Sequence, residues 1–194
     1  VVTINPTEPL ASGTGYYVNI AATAFTDESD NTNAYEGINN DTTWNFTSAD
    51  IEKPAVDAFS PLDNAPNVAV DANLVLTFNE TVVKGTGNIS LHSASRVIEN
   101  FNVATSNKVT GYGSTTITID PTNALDSLTG YYVKIAATAF TDESDNTNAY
   151  VGINNKTDWN FTSADIEKPT VDAFSPLDNA TNVGVDANLK LTFN

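Results

Sequence analysis

The sequence predicts an all-β protein: a two-sheet Greek-key sandwich, repeated in tandem. Three observations carry that expectation. Short apolar or alternating segments recur at regular intervals, with Gly, Pro, Asn and Asp between them, the pattern of strands joined by turns. No segment carries a helical apolar period, and the abundant Asn and Thr suit turns and strands better than helix interiors. The chain also repeats itself. Placing Tyr16-Tyr17 on Tyr131-Tyr132 sets an offset of 115 residues, which carries Trp44 to Trp159, Pro54 to Pro169 and Phe78 to Phe193. Over the overlap of 1–79 with 116–194 about 15 positions differ, and a period of this length accommodates one sandwich domain per repeat.

A polar link ending in proline, Asp50-Ile51-Glu52-Lys53-Pro54, recurs at 165–169 and marks the unit boundaries. Residues 1–53 are then the C-terminal part of one repeat, 54–168 a complete repeat, and 169–194 the opening of the next. The chain has no Met and begins in mid-pattern at Val1. We read it as a section of a longer array, in which a missing leader says nothing about export.

Within 54–168 the strands follow in order. Val56–Ser60 is short, apolar and followed by Pro61, as an edge strand should be. Residues 73–78 alternate and end at a polar turn, so they form the second strand. Residues 88–92 and 97–103 read the same way, with a turn at Lys84-Gly85-Thr86-Gly87 before them. The β-branched run 115–119 follows Gly111-Tyr112-Gly113, 131–135 leads toward Phe140, and 159–162 closes the unit. Phe59, Leu76, Phe78, Tyr132, Ile135, Phe140, Trp159 and Phe161 are the expected core. Trp44 and Trp159 are expected as core fillers, because a buried indole brings the largest apolar area.

Charge narrows the function. With 24 acidic and 8 basic residues the net charge is −16, which repels nucleic acid and anionic lipid and attracts cations. No apolar run is long enough to span a membrane as a helix. Cysteine is absent, so disulfides and thiol chemistry are excluded. The single histidine, His92, permits no nucleophile–base pair beyond itself, and no glycine loop is of the phosphate-binding kind. A non-enzymatic role is expected, and His92 is read as a strand or surface residue. Zinc is disfavoured for the same lack of Cys and His. Hard oxygen ligands are plentiful, however. The stretch AFTDESDNTNAY occurs at 24–35 and again, letter for letter, at 139–150. Asp, Glu and Asn crowded into one short loop point to calcium. The competing local reading is a solvated loop whose Asp142 and Asn146 make turn hydrogen bonds.

The residues also carry a family resemblance. SPLDNAPNVAVDANLVLTFNE at 60–80, KGTGNISL at 84–91, GYYVKI at 130–135, the AFTD–Asn element and WNFTSAD at 159–165 together resemble the bacterial Ig-like domain first named in S-layer proteins and common in giant repetitive adhesins. The resemblance covers the whole unit and both partial ones. It implies an Ig-like, extracellular, repeated module without enzymatic activity. The loop after Phe25 and Phe140 departs from the family's short Asp-x-x-Gly-Asn, reading Asp-Glu-Ser-Asp-Asn-Thr-Asn instead.

In an Ig-like sandwich the incoming link, the end of the second strand and the loop between the sixth and seventh strands share one end. That places Asp50 and Glu52 of the link, Asn79 and Glu80 at the end of the second strand, and Asp142, Asp145 and Asn146 of the loop at one junction. Carboxylates so close repel unless a cation joins them, and Ca²⁺ takes six to eight such oxygens. The equivalent positions Asp27, Asp30 and Asn31 belong to a junction lacking its link here, and Asp165 and Glu167 to one lacking its loop. The expected function is a structural extender or stalk of a secreted or cell-surface adhesin, stiffened by Ca²⁺ between neighbouring repeats. Its partners are adjoining repeats or head-to-tail copies, with no nucleic acid and no membrane insertion. The alternatives are a filament or S-layer subunit whose partial ends complete one another between chains, and a carbohydrate- or protein-binding module.

Overall fold

A computed structural model describes the chain apart from Ser29, Asn31, Thr32, Ser95, Asp145 and Asn146. The described residues form strands and turns and no helix. In chain order the strands are β1 (Gly15–Tyr17), β2 (Asn45–Thr47), β3 (Val56–Ser60), β4 (Ala65–Val68), β5 (Leu74–Lys84), β6 (Asn88–Ser93), β7 (Arg96–Asn102), β8 (Val109–Thr110), β9 (Ser114–Ile119), β10 (Gly130–Ile135), β11 (Phe140–Asp142), β12 (Asn160–Ser163), β13 (Val171–Ser175) and β14 (Lys190–Phe193).

Strands β3 to β12 build an Ig-like sandwich. One sheet runs β4-β12-β10-β6-β7, and the other β11-β5-β9-β8, with β3 also on β5. The inner faces follow the two-residue period of a strand. Leu74, Leu76 and Phe78 of β5, Ile117 and Ile119 of β9, Ile89 and Leu91 of β6, and Val133 and Ile135 of β10 are all buried. Trp159 and Phe161 close the core at the last strand, with Trp159 fully buried. Its ring stacks on half-buried Phe59 at 4.8 Å, and its Nε1 donates to the Pro61 carbonyl at 2.9 Å, so its one polar group is satisfied inside the core.

The structure corrects three expectations. The core tyrosine is Tyr131, 3 % exposed, not Tyr132. Tyr131 shares the face of Val133 and Ile135, as alternation requires, and its phenol oxygen accepts the Asp126 N–H at 2.8 Å, tying the start of β10 to the chain just upstream. Tyr132 lies on the outer face, stacked on His92 at 4.7 Å. The second strand does not end at Asn79-Glu80 but continues as β5 to Lys84. Trp44 is not a core residue in this chain. It is 42 % exposed, because among the described residues no aromatic ring packs on it as Phe59 packs on Trp159.

The short strands β4, β8 and β11 carry no strand signal of their own. Ala65–Val68 contains Pro66, Val109–Thr110 is two residues long, and Phe140–Asp142 opens the acidic loop. Each is strand only because a neighbouring strand offers main-chain partners: β12 pairs β4 in parallel, β9 pairs β8 and β5 pairs β11.

Outside the sandwich lie two hairpins, β1–β2 and β13–β14. Their registers reproduce those inside it. Tyr16 opposes Phe46 as Tyr131 opposes Phe161. Phe174 opposes Leu191 as Phe59 opposes Leu76.

Candidate metal centre

The topology of β5 creates the site. β3 pairs along Val75–Phe78 and β11 along Val82–Lys84, so two strands share that edge end to end. Between them Asn79, Glu80 and Thr81 have no strand opposite. On the other edge the pairing with β9 slips between Thr77 and Val82, an irregularity of the kind that re-aims side chains. The link leading into β3 and the loop leaving β11 both arrive at this interruption.

One carboxylate comes from each segment: Asp50 from the link, Glu80 from β5 and Asp142 from the end of β11. One ligand oxygen from each lies within 4.8 Å of the other two. Asp142 is 2 % exposed and firmly held. Its Oδ1 accepts the Asn148 N–H at 2.9 Å and the Ser144 N–H at 3.3 Å, and its Oδ2 accepts Asn148 Nδ2 at 2.9 Å. Burial opposes its ionisation, but the bonds from Asn148 and Ser144 outweigh burial and hold its pKa below the usual carboxylate value. Asp50 Oδ1 accepts the Ser12 hydroxyl at 2.9 Å and the Glu52 N–H at 3.0 Å, fixing the turn of the link.

Glu80 is in the opposite condition. Its Oε1 is buried with no hydrogen-bond partner among the described residues. Burial, then the charges of Asp142, Asp50 and Glu52, push its pKa up. A carboxylate with one buried, orphaned oxygen, grouped with two further carboxylates, is a high-energy arrangement for protein alone and a favourable one around a hard cation. The residues therefore fit a metal. Three carboxylates with no sulfur or imidazole select an oxygen-loving ion of the calcium or magnesium kind.

The other expected ligands are placed as follows. Glu52 is exposed in the link and close enough to act on Glu80. Asn79 clasps the link: its Oδ1 accepts the Ala55 N–H at 2.8 Å, and its own N–H donates to the Ala55 carbonyl at 2.9 Å. Asp145 and Asn146 of this loop, and Asn31 of the first copy, lie outside the described residues. Asp27 is exposed and bonded by Asn33 through N–H and Nδ2 at 2.8 and 3.0 Å, and Asp30 is exposed. Asp165 and Glu167 form an exposed link turn, with Asp165 Oδ1 accepting Ser127 Oγ at 3.2 Å and the Glu167 N–H at 3.0 Å. The structure thus unites Asp50, Glu80 and Asp142, and among the described residues Asp27, Asp30, Asp165 and Glu167 are not part of that group.

Asn148 and Ser12 are absent from the expected set. Asn148 is the bracket of the junction, since its Nδ2 reaches both Asp142 and the Asp50 carbonyl, the latter at 3.0 Å. A signal existed: Asn148 lies six residues after Asp142, as Asn33 does after Asp27, and Asp and Asn side chains commonly close loops on nearby backbone. Replacing Asn148 with Ala should cost about 1.5–3 kcal/mol, the range for hydrogen bonds to a charged group. Urea denaturation at neutral pH measures it, and an unchanged midpoint would refute the bracket.

A family model described as bacterial Ig-like domain matches residues 50–163, a span that contains all three carboxylates. The crystal structure of CopC from Methylosinus trichosporium OB3b is similar over 59 % of this chain and 97 % of that one, at 18 % identity and a TM-score of 0.42. No curated protein sequence matches.

Proposed function

Because the chain belongs to the bacterial Ig-like domain family, we propose that it is a structural extender in which Ca²⁺ bridges the incoming link to the sandwich and sets the angle between successive repeats. The observation that carries this reading is Glu80, whose Oε1 is buried and orphaned and whose carboxylate is grouped with those of Asp50 and Asp142. Asp50 belongs to the link, while Glu80 and Asp142 belong to the sandwich. A cation shared among them ties link to domain, which a loop-only site would not do.

The wider role is a stalk segment of a secreted or cell-surface repetitive adhesin, with no catalytic step. Near-identical repetition at 115 residues suits a part whose length matters more than any individual surface. Extracellular modules of this kind use calcium at dissociation constants of about 10⁻⁴–10⁻³ M. Such sites fill outside the cell and empty inside it.

Small-angle scattering of the whole chain tests the reading. Calcium should narrow the distribution of maximum dimensions relative to EDTA, and magnesium should do so less. Identical profiles in calcium and EDTA would sink the junction role.

A further inference from the structure

Strand β7 ends its sheet, and the segment 120–126 that follows β9 runs beside it. Glu99 ties the two together: the Thr122 N–H and hydroxyl donate to its separate carboxylate oxygens at 2.9 and 2.5 Å. Between them lies a hollow of about 400 Å³, a size usual for small-molecule sites. A second hollow of about 490 Å³ shares Arg96, Ile98 and Asp126 with it. The first has an apolar floor, since its Leu91, Leu125 and Tyr131 are all buried. The register of β7 slips by one residue between Glu99 and Val97, and this bulge brings Ile98 to the hollow next to Glu99. Every lining residue belongs to the complete repeat, so the hollow does not depend on the partial ones. In the preceding repeat the counterpart segment, 6–11, is exposed throughout although a complete repeat follows it. A following repeat therefore leaves this side open.

Two opposite charges border both hollows, and the fold uses neither. Arg96 is the single arginine of the chain. Among the described residues, Arg96 and Asp126 are paired neither with each other nor with another charged side chain. Asp126 works through its main chain alone: its N–H donates to the Tyr131 hydroxyl at 2.8 Å, and its carbonyl accepts Ser163 Oγ at 2.6 Å. The first copy shows that these bonds need no carboxylate. Ala11 stands there in place of Asp126, and its N–H makes the same bond to the Tyr16 hydroxyl at 2.8 Å. Asn123 and Ala124 likewise stand where the first copy has Glu8 and Pro9, while Pro121, Thr122 and Leu125 are unchanged from Pro6, Thr7 and Leu10. The charge of Asp126 thus belongs to this hollow and not to the folding of the repeat.

We propose that this hollow binds a compact zwitterion of the α-amino-acid kind, its carboxylate on Arg96, its ammonium on Asp126 and its apolar side chain over Leu91, Leu125 and Tyr131. A guanidinium presents a planar fork that matches a carboxylate, and an ammonium bonds strongly to a carboxylate acceptor. The floor supplies apolar area for the side chain. Net charge decides against simpler ligands. At −16 the chain repels a plain carboxylate, and a plain amine finds an equal partner at many other acidic residues. A zwitterion has no net charge, so the overall field neither draws nor repels it, and the placement of the two opposite charges selects it. No residue of this hollow belongs to the metal group, so this inference and the calcium reading stand or fall separately.

Amide NMR spectra of the whole chain in EDTA, titrated with L-leucine, test it. Saturable shifts should appear at Arg96, Ile98, Leu125 and Asp126. Isocaproate, which lacks the ammonium, and isopentylamine, which lacks the carboxylate, should each bind about tenfold more weakly or worse, the loss expected for one charge-assisted hydrogen bond. Arg96→Gln and Asp126→Ala should each weaken leucine by a similar factor while the melting midpoint stays unchanged. Asp126→Ala places at this corner the residue type that the first copy already carries there, so the variant should keep its fold, and Arg96→Gln alters an exposed side chain. Leucine shifts that do not saturate or that fall only on other surfaces would overturn the proposal. So would half-ligands that bind as tightly as leucine, or folded variants that bind leucine as the wild type does.

Discussion

Trp159→Ala should remove most of the stability of the sandwich, while Trp44→Ala should leave it nearly unchanged. The two tryptophans sit in the same local sequence, WNFTSADIEKP, so propensity and turn chemistry are held constant and only the surroundings differ. Trp159 is fully buried, stacked on Phe59 and bonded to the Pro61 carbonyl. Truncation leaves a cavity and an unpaired carbonyl, and large aromatic deletions of this kind cost about 3–5 kcal/mol. Since a domain this size is stable by only about 5–15 kcal/mol, the midpoint should fall steeply. Trp44 is 42 % exposed, and changes at such positions stay within about 0.5 kcal/mol. Urea denaturation followed by far-ultraviolet circular dichroism reads both variants without relying on tryptophan emission. Equal effects at the two positions would contradict the packing described.

Glu80→Gln should act in opposite directions with and without calcium. The sign follows from the raised pKa of Glu80, caused first by burial and then by Asp142, Asp50 and Glu52. A group whose folded pKa lies above its unfolded value contributes stability that is present below the unfolded pKa and is lost as pH rises through the folded one. At neutral pH in EDTA an ionised Glu80 is therefore a burden on the fold. Gln removes the charge while keeping the shape, so the variant should be the more stable protein. In saturating calcium the order reverses, because the variant lacks a ligand. At a calcium concentration 100 times the dissociation constant the wild type gains about 2.7 kcal/mol from binding, and the variant should lose most of that gain. Thermal melts of both proteins in EDTA and in calcium give the crossing directly. Parallel shifts in the two media would rule out Glu80 as a ligand.

Much of the fold was readable from residue order, because alternation and turn chemistry are local. The strands at 56–60, 73–78, 88–92, 97–103, 115–119, 131–135 and 159–162 all lie within or across observed strands. The misplacement of Tyr132 was avoidable. It cannot share a face with Ile135, three residues away, since strand faces alternate. The three short strands were not readable, since a segment such as Phe140–Asp142 is strand only by virtue of the β5 edge beside it. Of the candidate site, the residue types and the three contributing segments were legible. The strand-direction argument brought Asp50, Glu80 and Asp142 to one junction, and the cluster lies there. The bracket Asn148 was not, because its importance comes from reaching a carbonyl 98 residues away.

The two copies of the acidic loop separate local from long-range causes. Asp27–Asn33 and Asp142–Asn148 form the same clasp, N–H to Oδ1 and Nδ2 to Oδ2, at nearly the same distances. The link turns Ser12–Asp50 and Ser127–Asp165 match as well. These shapes come from short-range hydrogen bonding that any copy of the sequence can make, so residue order alone suffices for them. Burial does not repeat. Asp142 is 2 % exposed while Asp27 is on the surface, and only Asp142 has Glu80 and Asp50 beside it. Desolvation and charge crowding need atoms from distant parts of the chain, and those forces turn a common acidic loop into a candidate cation site.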